Sequence, residues 1–392
     1  MKGKDFVLYG GLFGYAYLLL RFVWYCTTIA VMYLYYRKGI HEGSVEWIEY
    51  FYLFPSLFVL PGAIMGDVIK SNKWGTIAGA LMAFVGLIWF AITISFAFIG
   101  PVGLLLLGFG FMWGNQVAWF GRLCRQRPEY LVPGFVLYYV LIQLGYTVGS
   151  DLVMGTLDRA YIFATVAGML VLIYTTAIYF VIPAFAERRP LPAVPGKWRV
   201  LVPLALLLLT VPCWLGLKFA MSLMDGSLTA ADDSSSVSYS VLDGLQMVSG
   251  VVLAVLLYKK RFPMLLSMAI ACVLLLLATG MALLIQSESL ANGFLDFGSS
   301  YLVDLSELLL YGVGSALVLR SVPERWLGTA LAILHSLAYF VFHLHLAIKR
   351  QEIMTTPLLY TICIVAGLSG ALVYGLLYLY APRRIGGRVG EG

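Results

Sequence analysis

The chain has 392 residues, 61% of them hydrophobic and only 12% charged, with a formal net charge of +6. A soluble domain carries roughly twice that share of charge, so this composition excludes an ordinary globular enzyme or regulator. The basic excess needs no nucleic acid to explain it, because it falls between apolar stretches, where it sets membrane orientation and meets anionic lipid.

Twelve apolar stretches are predicted to cross a bilayer, over 6–36, 46–67, 75–98, 101–121, 131–155, 159–185, 200–224, 239–258, 262–286, 298–319, 326–348 and 357–381. About 20 apolar residues suffice for a helix to span lipid, and backbone groups in lipid must bond within their own segment. Of the 26 lysines and arginines, 19 fall on the side of both termini, 5 on the opposite loops, and Arg21 and Lys218 inside spans. Short loops with this bias face the cytoplasm. The expected location is therefore the inner (plasma) membrane, multi-pass, with both termini cytoplasmic. The opening MKGKD and its apolar run imitate a signal peptide, but the run is too long and lacks a small-residue cleavage site.

The connection AERRPLPAVPGKWR, 186–199, holds three prolines and four basic residues and divides the spans six and six. Proline stops the sixth helix there and stiffens the linker. The expected domains are an N-terminal half, 1–185, the cytoplasmic linker 186–199, and a C-terminal half, 200–392. The other long loop, 222–239, is acidic, serine-rich and on the outer side. Cys26, Cys124, Cys213, Cys272 and Cys363 have no metal-ligand spacing and read as small packing residues. Tyrosine and tryptophan total 34, and interfacial belts account for most of them. Glycines 108, 110 and 114 read as sites of close helix packing.

Two six-span halves joined by a basic linker suggest the architecture of the major facilitator superfamily. GAIMGDVIKSNKWG, 62–75, resembles that superfamily's loop motif between spans 2 and 3, keeping Gly62, Asp67 and Lys73, with Ser71 where glycine is usual. GFGFMWGN, 108–115, and GFVLYYVLIQLG, 134–145, are similar to the span 4 and span 5 signatures of the proton-coupled oligopeptide transporters. Phe135, Tyr139, Ile142 and Gly145 keep the spacing, and Gln143 stands where asparagine is usual. SELLLYGVGSALVLRSVPER, 306–325, resembles that family's tenth helix and its exit, with Glu307, Gly314 and Pro323 in register. The resemblance to this family, as a divergent member, implies an all-α integral membrane protein with 12 transmembrane helices in two six-helix halves. It further implies secondary active transport of short peptides or similar small polar solutes by alternating access, with proton symport as the usual coupling.

The departures fall on the chemistry. The family's first helix carries E-x-x-E-R-F-x-Y-Y, and the aligned stretch here runs from Tyr17 to Tyr25 with Arg21 kept and both glutamates replaced, by Tyr17 and Leu20. The family's span 4 lysine position falls on Trp113, and the span 7 acidic position on Lys218, after Trp214.

A charge near the middle of a span costs about 3 kcal/mol on insertion scales, so Arg21 is expected to face a polar cavity or a partner. Tyr17 and Tyr25 lie one turn to either side. The guanidinium fork suits a substrate carboxylate; the alternative is a structural partner for Glu307. Glu307 lies mid-span with Asp304 on the same face. Through the resemblance Glu307 receives a peptide amino terminus or a proton; the alternative is a lasting salt bridge to Lys218 or Arg21. Lys218 reads equally as a cavity residue or as one snorkelling outward. Tyr139, Gln143 and Tyr146 share a helical face, and Asn115 closes the span 4 signature. The expected substrate contacts are Arg21, Tyr17, Tyr25, Asn115, Tyr139, Gln143, Lys218 and Glu307, with Glu307 and Asp304 for proton coupling and Asp67 and Lys73 for gating. His335, His343 and His345 read as packing or lipid-edge histidines, with proton relay the lesser alternative.

No Ser/His/Asp set, zinc spacing or nucleotide loop is present, so no enzyme activity, cofactor or metal is expected. Two further readings stand beside peptide transport. One is an organic-anion carrier using Arg21 and Lys218. The other is a transport-inactive relative serving as a membrane subunit or scaffold for a protein partner.

Overall fold

The computed structural model describes residues 3–37, 57–92, 99–154, 160–185, 198–228, 235–260, 263–288, 293–337 and 356–380. His343, His345 and residues 186–197 of the linker lie outside the described residues, as does the first half of the expected second span. Every described element is helical. They are α1 (Gly3–Arg37), α2 (Leu57–Val68), α3 (Asn72–Ile92), α4 (Ile99–Arg125), α5 (Leu131–Met154) and α6 (Ala160–Val181), then α7 (Trp198–Leu228), α8 (Ser235–Lys260), α9 (Met264–Glu288), α10 (Gly293–Ser321), α11 (327–337) and α12 (Thr356–Tyr380). Among them, eight are long and apolar enough to cross a membrane. The chain is an all-helical, multi-pass membrane protein.

Local sequence sets the ends. Pro183 follows α6 and cannot extend it. The turn from α2 into α3 is a Schellman closure: the Ser71 N–H reaches the Gly66 carbonyl at 3.0 Å and the Lys70 N–H reaches that of Asp67 at 3.2 Å. Lys70 takes the left-handed position, φ 56°. Ser71 then caps α3, its Oγ accepting the Trp74 N–H at 3.4 Å, which gives the serine a purpose where glycine is usual. Pro203 and Pro212 lie inside α7, so the Leu208 carbonyl receives no bond from residue 212.

The chain divides into two compact units: one of Met1–Arg127, Leu141–Arg189 and Pro323–Tyr339, the other of Pro128–Val140, Pro190–Val322 and Phe340–Gly392. In the first, α3 and α4 meet backbone to backbone. A Cβ at Gly79 would stand 2.6 Å from the Met112 nitrogen and 2.8 Å from the Gly108 carbonyl, so only glycine permits this approach. Lys73 joins α3 to the end of α6, donating to the carbonyls of Phe180 at 3.0 Å and Ile182 at 2.7 Å. Trp119 of α4 donates to the Pro183 carbonyl at 3.0 Å beside them.

In the second unit, α9 packs against α10 and α12. Ser306 donates from α10 to the Ala271 carbonyl at 2.7 Å, and Tyr360 from α12 to that of Ala282 at 3.4 Å. Cys213 of α7 and Cys272 of α9 bring their sulfurs to 3.3 Å beneath Gly370 of α12, and Cys363 donates to the Gly216 carbonyl at 3.3 Å. All five cysteines are free and buried.

Candidate functional site

In the first unit, Arg21 is 8% exposed. Its Nη2 and Nε donate to the Tyr17 hydroxyl at 2.8 and 3.2 Å, one helical turn back. The guanidinium carbon lies 4.6 Å from the centre of the Trp113 ring and 5.3 Å from that of Tyr17. Two aromatic faces therefore accompany a charge that lipid would reject. Trp24 and Phe109 pack edge-on around Trp113 and Trp24 respectively, which holds the indole in place. Gly145 of α5 comes so close that a Cβ there would stand 2.7 Å from the Arg21 Cβ.

Tyr17, Arg21 and Trp113 line a small pocket together with Val59, Gly114, Val117, Ala332 and His335. Its volume of about 10 Å³ is close to what one water molecule needs. The Trp113 Nε1 is buried and has no hydrogen-bond partner among the described residues. Among the described residues its lining holds a guanidinium, an indole, a phenol and an imidazole, and no carboxylate.

The remaining sequence-predicted residues fall in several places. Tyr25 and Gln143 are half-buried in the same unit as Arg21. Asn115 is fully buried, and its amide hydrogens go to the carbonyls of Gly62 at 2.8 Å and Phe111 at 2.9 Å, while its oxygen accepts from Asn72 at 3.0 Å. Those bonds tie α2, α3 and α4 together, and a Cβ at Gly66 or Gly75 would collide with the amide. Its donors are thereby occupied, and no ligand contact is left for them in this conformation.

In the second unit, Lys218 of α7 and Glu307 of α10 form an ion pair at 3.3 Å, with side chains 22% and 15% exposed. One turn along each helix, Trp214 stacks on Tyr311 with centroids 6.0 Å apart at 12°, and Tyr139 of α5 lies 4.7 Å from Tyr311. Asp304 is half-buried on α10. Lys218 is held by a partner on a neighbouring helix in this arrangement.

Asp67 and Lys73, expected together at a gate, have separate partners. Lys73 binds the end of α6. Asp67 accepts the backbone N–H groups of Gly328 at 3.2 Å and Thr329 at 2.7 Å and the Thr329 hydroxyl at 2.9 Å. Arg122 of α4 stands 3.9 Å from Asp67 and 4.0 Å from Glu324.

Sequence reasoning missed three participants. Trp113 was visible only as a missing lysine, although its i+8 spacing from Leu105 already put it on the buried face of α4. Arg122 gave only a helix-end charge. His335 was named only as a packing or lipid-edge histidine with proton relay the lesser alternative, because its place beside Arg21 depends on which helix faces α1.

No protein-family model and no curated protein sequence matches the chain. Solved structures do. The major facilitator superfamily transporter FucP, in the outward conformation, aligns over 95% of this chain and 99% of its own with a TM-score of 0.69 at 11% identity. The human organic anion transporter MFSD10 aligns over 96% and 100% with a TM-score of 0.67 at 16% identity. A bacterial homologue of the iron transporter ferroportin, outward-facing, aligns over 94% and 98% with a TM-score of 0.69 at 14% identity. At these identities the likeness fixes the fold: the chain has the major facilitator fold.

Proposed function

We propose, from the major facilitator fold as premise, that this protein is a secondary transporter of small solutes bearing a carboxylate, short peptides among them, working by alternating access. The observation that carries this reading is Arg21, buried in lipid-spanning structure yet facing a pocket, stacked on Trp113 and oriented by Tyr17. A guanidinium pre-oriented in this way binds a carboxylate through two parallel hydrogen bonds. Walls of valine, glycine and alanine exclude water without competing for the ligand.

The six-span halves 1–185 and 200–392 act as the rocking bodies, in a plasma membrane with both termini cytoplasmic, as the basic-residue bias implies. Asp67, Arg122 and the start of α11 then form the cytoplasmic latch, drawn closed. Lys73 anchors α6 beside it.

A second reading, the organic-anion carrier, is favoured over a zwitterion carrier by two facts. Among the described residues the Arg21 pocket is lined by no carboxylate that could receive an ammonium, and Glu307 is paired with Lys218.

The test is uptake into proteoliposomes of alanylalanine and of N-propionylalanine, which keeps the carboxylate and lacks the ammonium. Saturable uptake of either, lost in Arg21→Gln protein that remains folded, supports the reading. Equal uptake by wild type and Arg21→Gln would sink it. Uptake of N-propionylalanine alone selects the anion carrier.

A further inference from the structure

We propose that Cys213 and Cys272 form a peroxide-reactive dithiol in the lipid-spanning part of the second unit, and that its closure to a disulfide pins α7 to α9. The proposal goes beyond the transporter reading and stands without it. Neither cysteine takes part in the pocket or the latch described above.

Helical spacing builds the site. Cys363, Gly367, Gly370 and Tyr374 follow one another at four, three and four residues and form the buried stripe of α12. Val365, Leu368, Leu372 and Leu376 are exposed on its other face, so lipid lies one helix away from the stripe, about 10 Å. On the buried side the Cys213 and Cys272 sulfurs are in contact at 3.3 Å, and both residues are fully buried. A Cβ at residue 370 would stand 2.6 Å from the Cys272 sulfur and nearer still to that of Cys213. Glycine is therefore what lets α12 close over the pair. Cys363 is arranged differently, because its thiol donates to the Gly216 carbonyl at 3.3 Å. Among the described residues no group of three His, Cys, Asp or Glu side chains that could hold a metal ion is present, so the two sulfurs offer dithiol chemistry.

The step balances with one peroxide. One sulfur attacks an oxygen of ROOH, the O–O bond breaks, and the thiol becomes a sulfenic acid while ROH leaves. The second sulfur then attacks the sulfenic sulfur, the S–O bond breaks, and water leaves with the second thiol's proton. The two thiols lose two electrons, and the peroxide is reduced to an alcohol and water. Apolar surroundings make the thiolate scarce, so the first step is slow. The second joins atoms already in contact and is fast. Rotation of the two side chains brings the sulfurs from 3.3 Å to the about 2.05 Å of a disulfide. Pro212 immediately precedes Cys213, and it leaves the Leu208 carbonyl without its bond from residue 212. A bond to α9 thus holds α7 where its own hydrogen-bond ladder is interrupted.

The test uses the full-length protein in dimyristoylphosphatidylcholine vesicles, whose saturated chains do not consume the oxidant. Cumene hydroperoxide, which partitions into the bilayer, and hydrogen peroxide, which stays largely in water, are added separately. Remaining thiols are blocked with N-ethylmaleimide, and linked peptides are mapped by mass spectrometry. The expected result is a Cys213–Cys272 peptide pair two hydrogens lighter than the sum of its thiol peptides, with Cys26, Cys124 and Cys363 recovered as thiols. Faster closure by cumene hydroperoxide assigns the oxidant to the bilayer, and faster closure by hydrogen peroxide assigns it to water. Hydrogen exchange over residues 208–216 then slows in the oxidised protein and recovers with dithiothreitol. Gly370→Ala keeps both cysteines and sets a methyl group against their sulfurs, so closure is lost or greatly slowed. Retention of both thiols in the wild type, or indiscriminate pairing among the five cysteines, overturns the proposal, and neither outcome depends on a variant that folds. A disulfide without slower exchange overturns the pinning of α7. Closure at the wild-type rate in Gly370→Ala overturns the role given to the glycine.

Discussion

Asp67 grips Thr329 twice, its Oδ2 accepting the backbone N–H at 2.7 Å and the hydroxyl at 2.9 Å. The end of α2 thereby caps the start of α11, where unpaired N–H groups and the helix dipole favour a carboxylate. Arg122, 3.9 Å from Asp67 and 4.0 Å from Glu324, adds a charge that depends on both acids being nearby. These two longer contacts are weak beside the three hydrogen bonds.

Removing the cap by Asp67→Ala leaves buried N–H groups unpaired, at a cost of about 2 kcal/mol. Asp67→Asn keeps the acceptor oxygen and loses the charge, so it costs about half as much. Hydrogen exchange over residues 327–332 should quicken in the order wild type, Asn, Ala. Identical exchange in all three would show that the latch does not depend on this carboxylate.

The Lys218–Glu307 pair predicts non-additive damage. Lys218→Met strands a mostly buried carboxylate, and Glu307→Gln strands a mostly buried ammonium. Each single change should cost about 2 kcal/mol, below the 3–5 of a fully buried pair because both side chains retain some exposure. The double variant Lys218→Met/Glu307→Gln should cost clearly less than the sum, since no unpaired charge is left. Thermal unfolding of the four proteins measures this cycle. Additive losses would mean that the 3.3 Å contact carries little energy.

Ser71 offers a finer test of local sequence logic. Its Oγ caps α3 through the Trp74 N–H, so Ser71→Ala should cost about 1 kcal/mol. Ser71→Gly, which restores the residue usual in the resembling motif, should cost only a few tenths. If alanine proved as stable as serine, the long 3.4 Å bond would be of no consequence to the fold.

The helical membrane fold was legible because it rests on a feature that a sequence states directly, the length of its apolar stretches. Arg21 and Glu307 were legible for the same reason, since an ionisable residue in an apolar run stands out without any knowledge of its neighbours. Their partners were not. Choosing Lys218 for Glu307, Trp113 for Arg21 and backbone N–H groups for Asp67 requires knowing which helix faces which. That depends on close approaches such as Gly79 on Gly108, whose effect is geometric and leaves no charge pattern. Asn115 is a case in which a structural role left no mark in the sequence. A polar residue in a signature suggests a ligand, yet two amide hydrogens on carbonyls and an oxygen on Asn72 tie three helices together. His335 was read as packing or lipid-edge, with proton relay the lesser alternative, because a histidine on an apolar helix carries no information about the pocket beside it.

Gly145 tests whether the position of Arg21, and not merely its charge, determines binding. A methyl group at residue 145 would stand 2.7 Å from the Arg21 Cβ and 3.0 Å from the Leu18 carbonyl oxygen, both close to the α1 backbone and unable to swing aside. Gly145→Ala must therefore push α1 and α5 apart by a few tenths of an ångström or more, at an overpacking cost of about 1–3 kcal/mol. The guanidinium moves with its stem, off the face of Trp113 and out of line with the Tyr17 hydroxyl. Carboxylate binding should then fall at least about tenfold, a loss of about 1.4 kcal/mol, with the protein still folded. Gly103→Ala in α4 is the control, because a Cβ there meets nothing within 4 Å and alanine is the better helix former. It should leave binding unchanged and stability equal or slightly higher. Undiminished binding in Gly145→Ala would mean that Arg21 tolerates displacement and that the pocket recognises its ligand by charge alone.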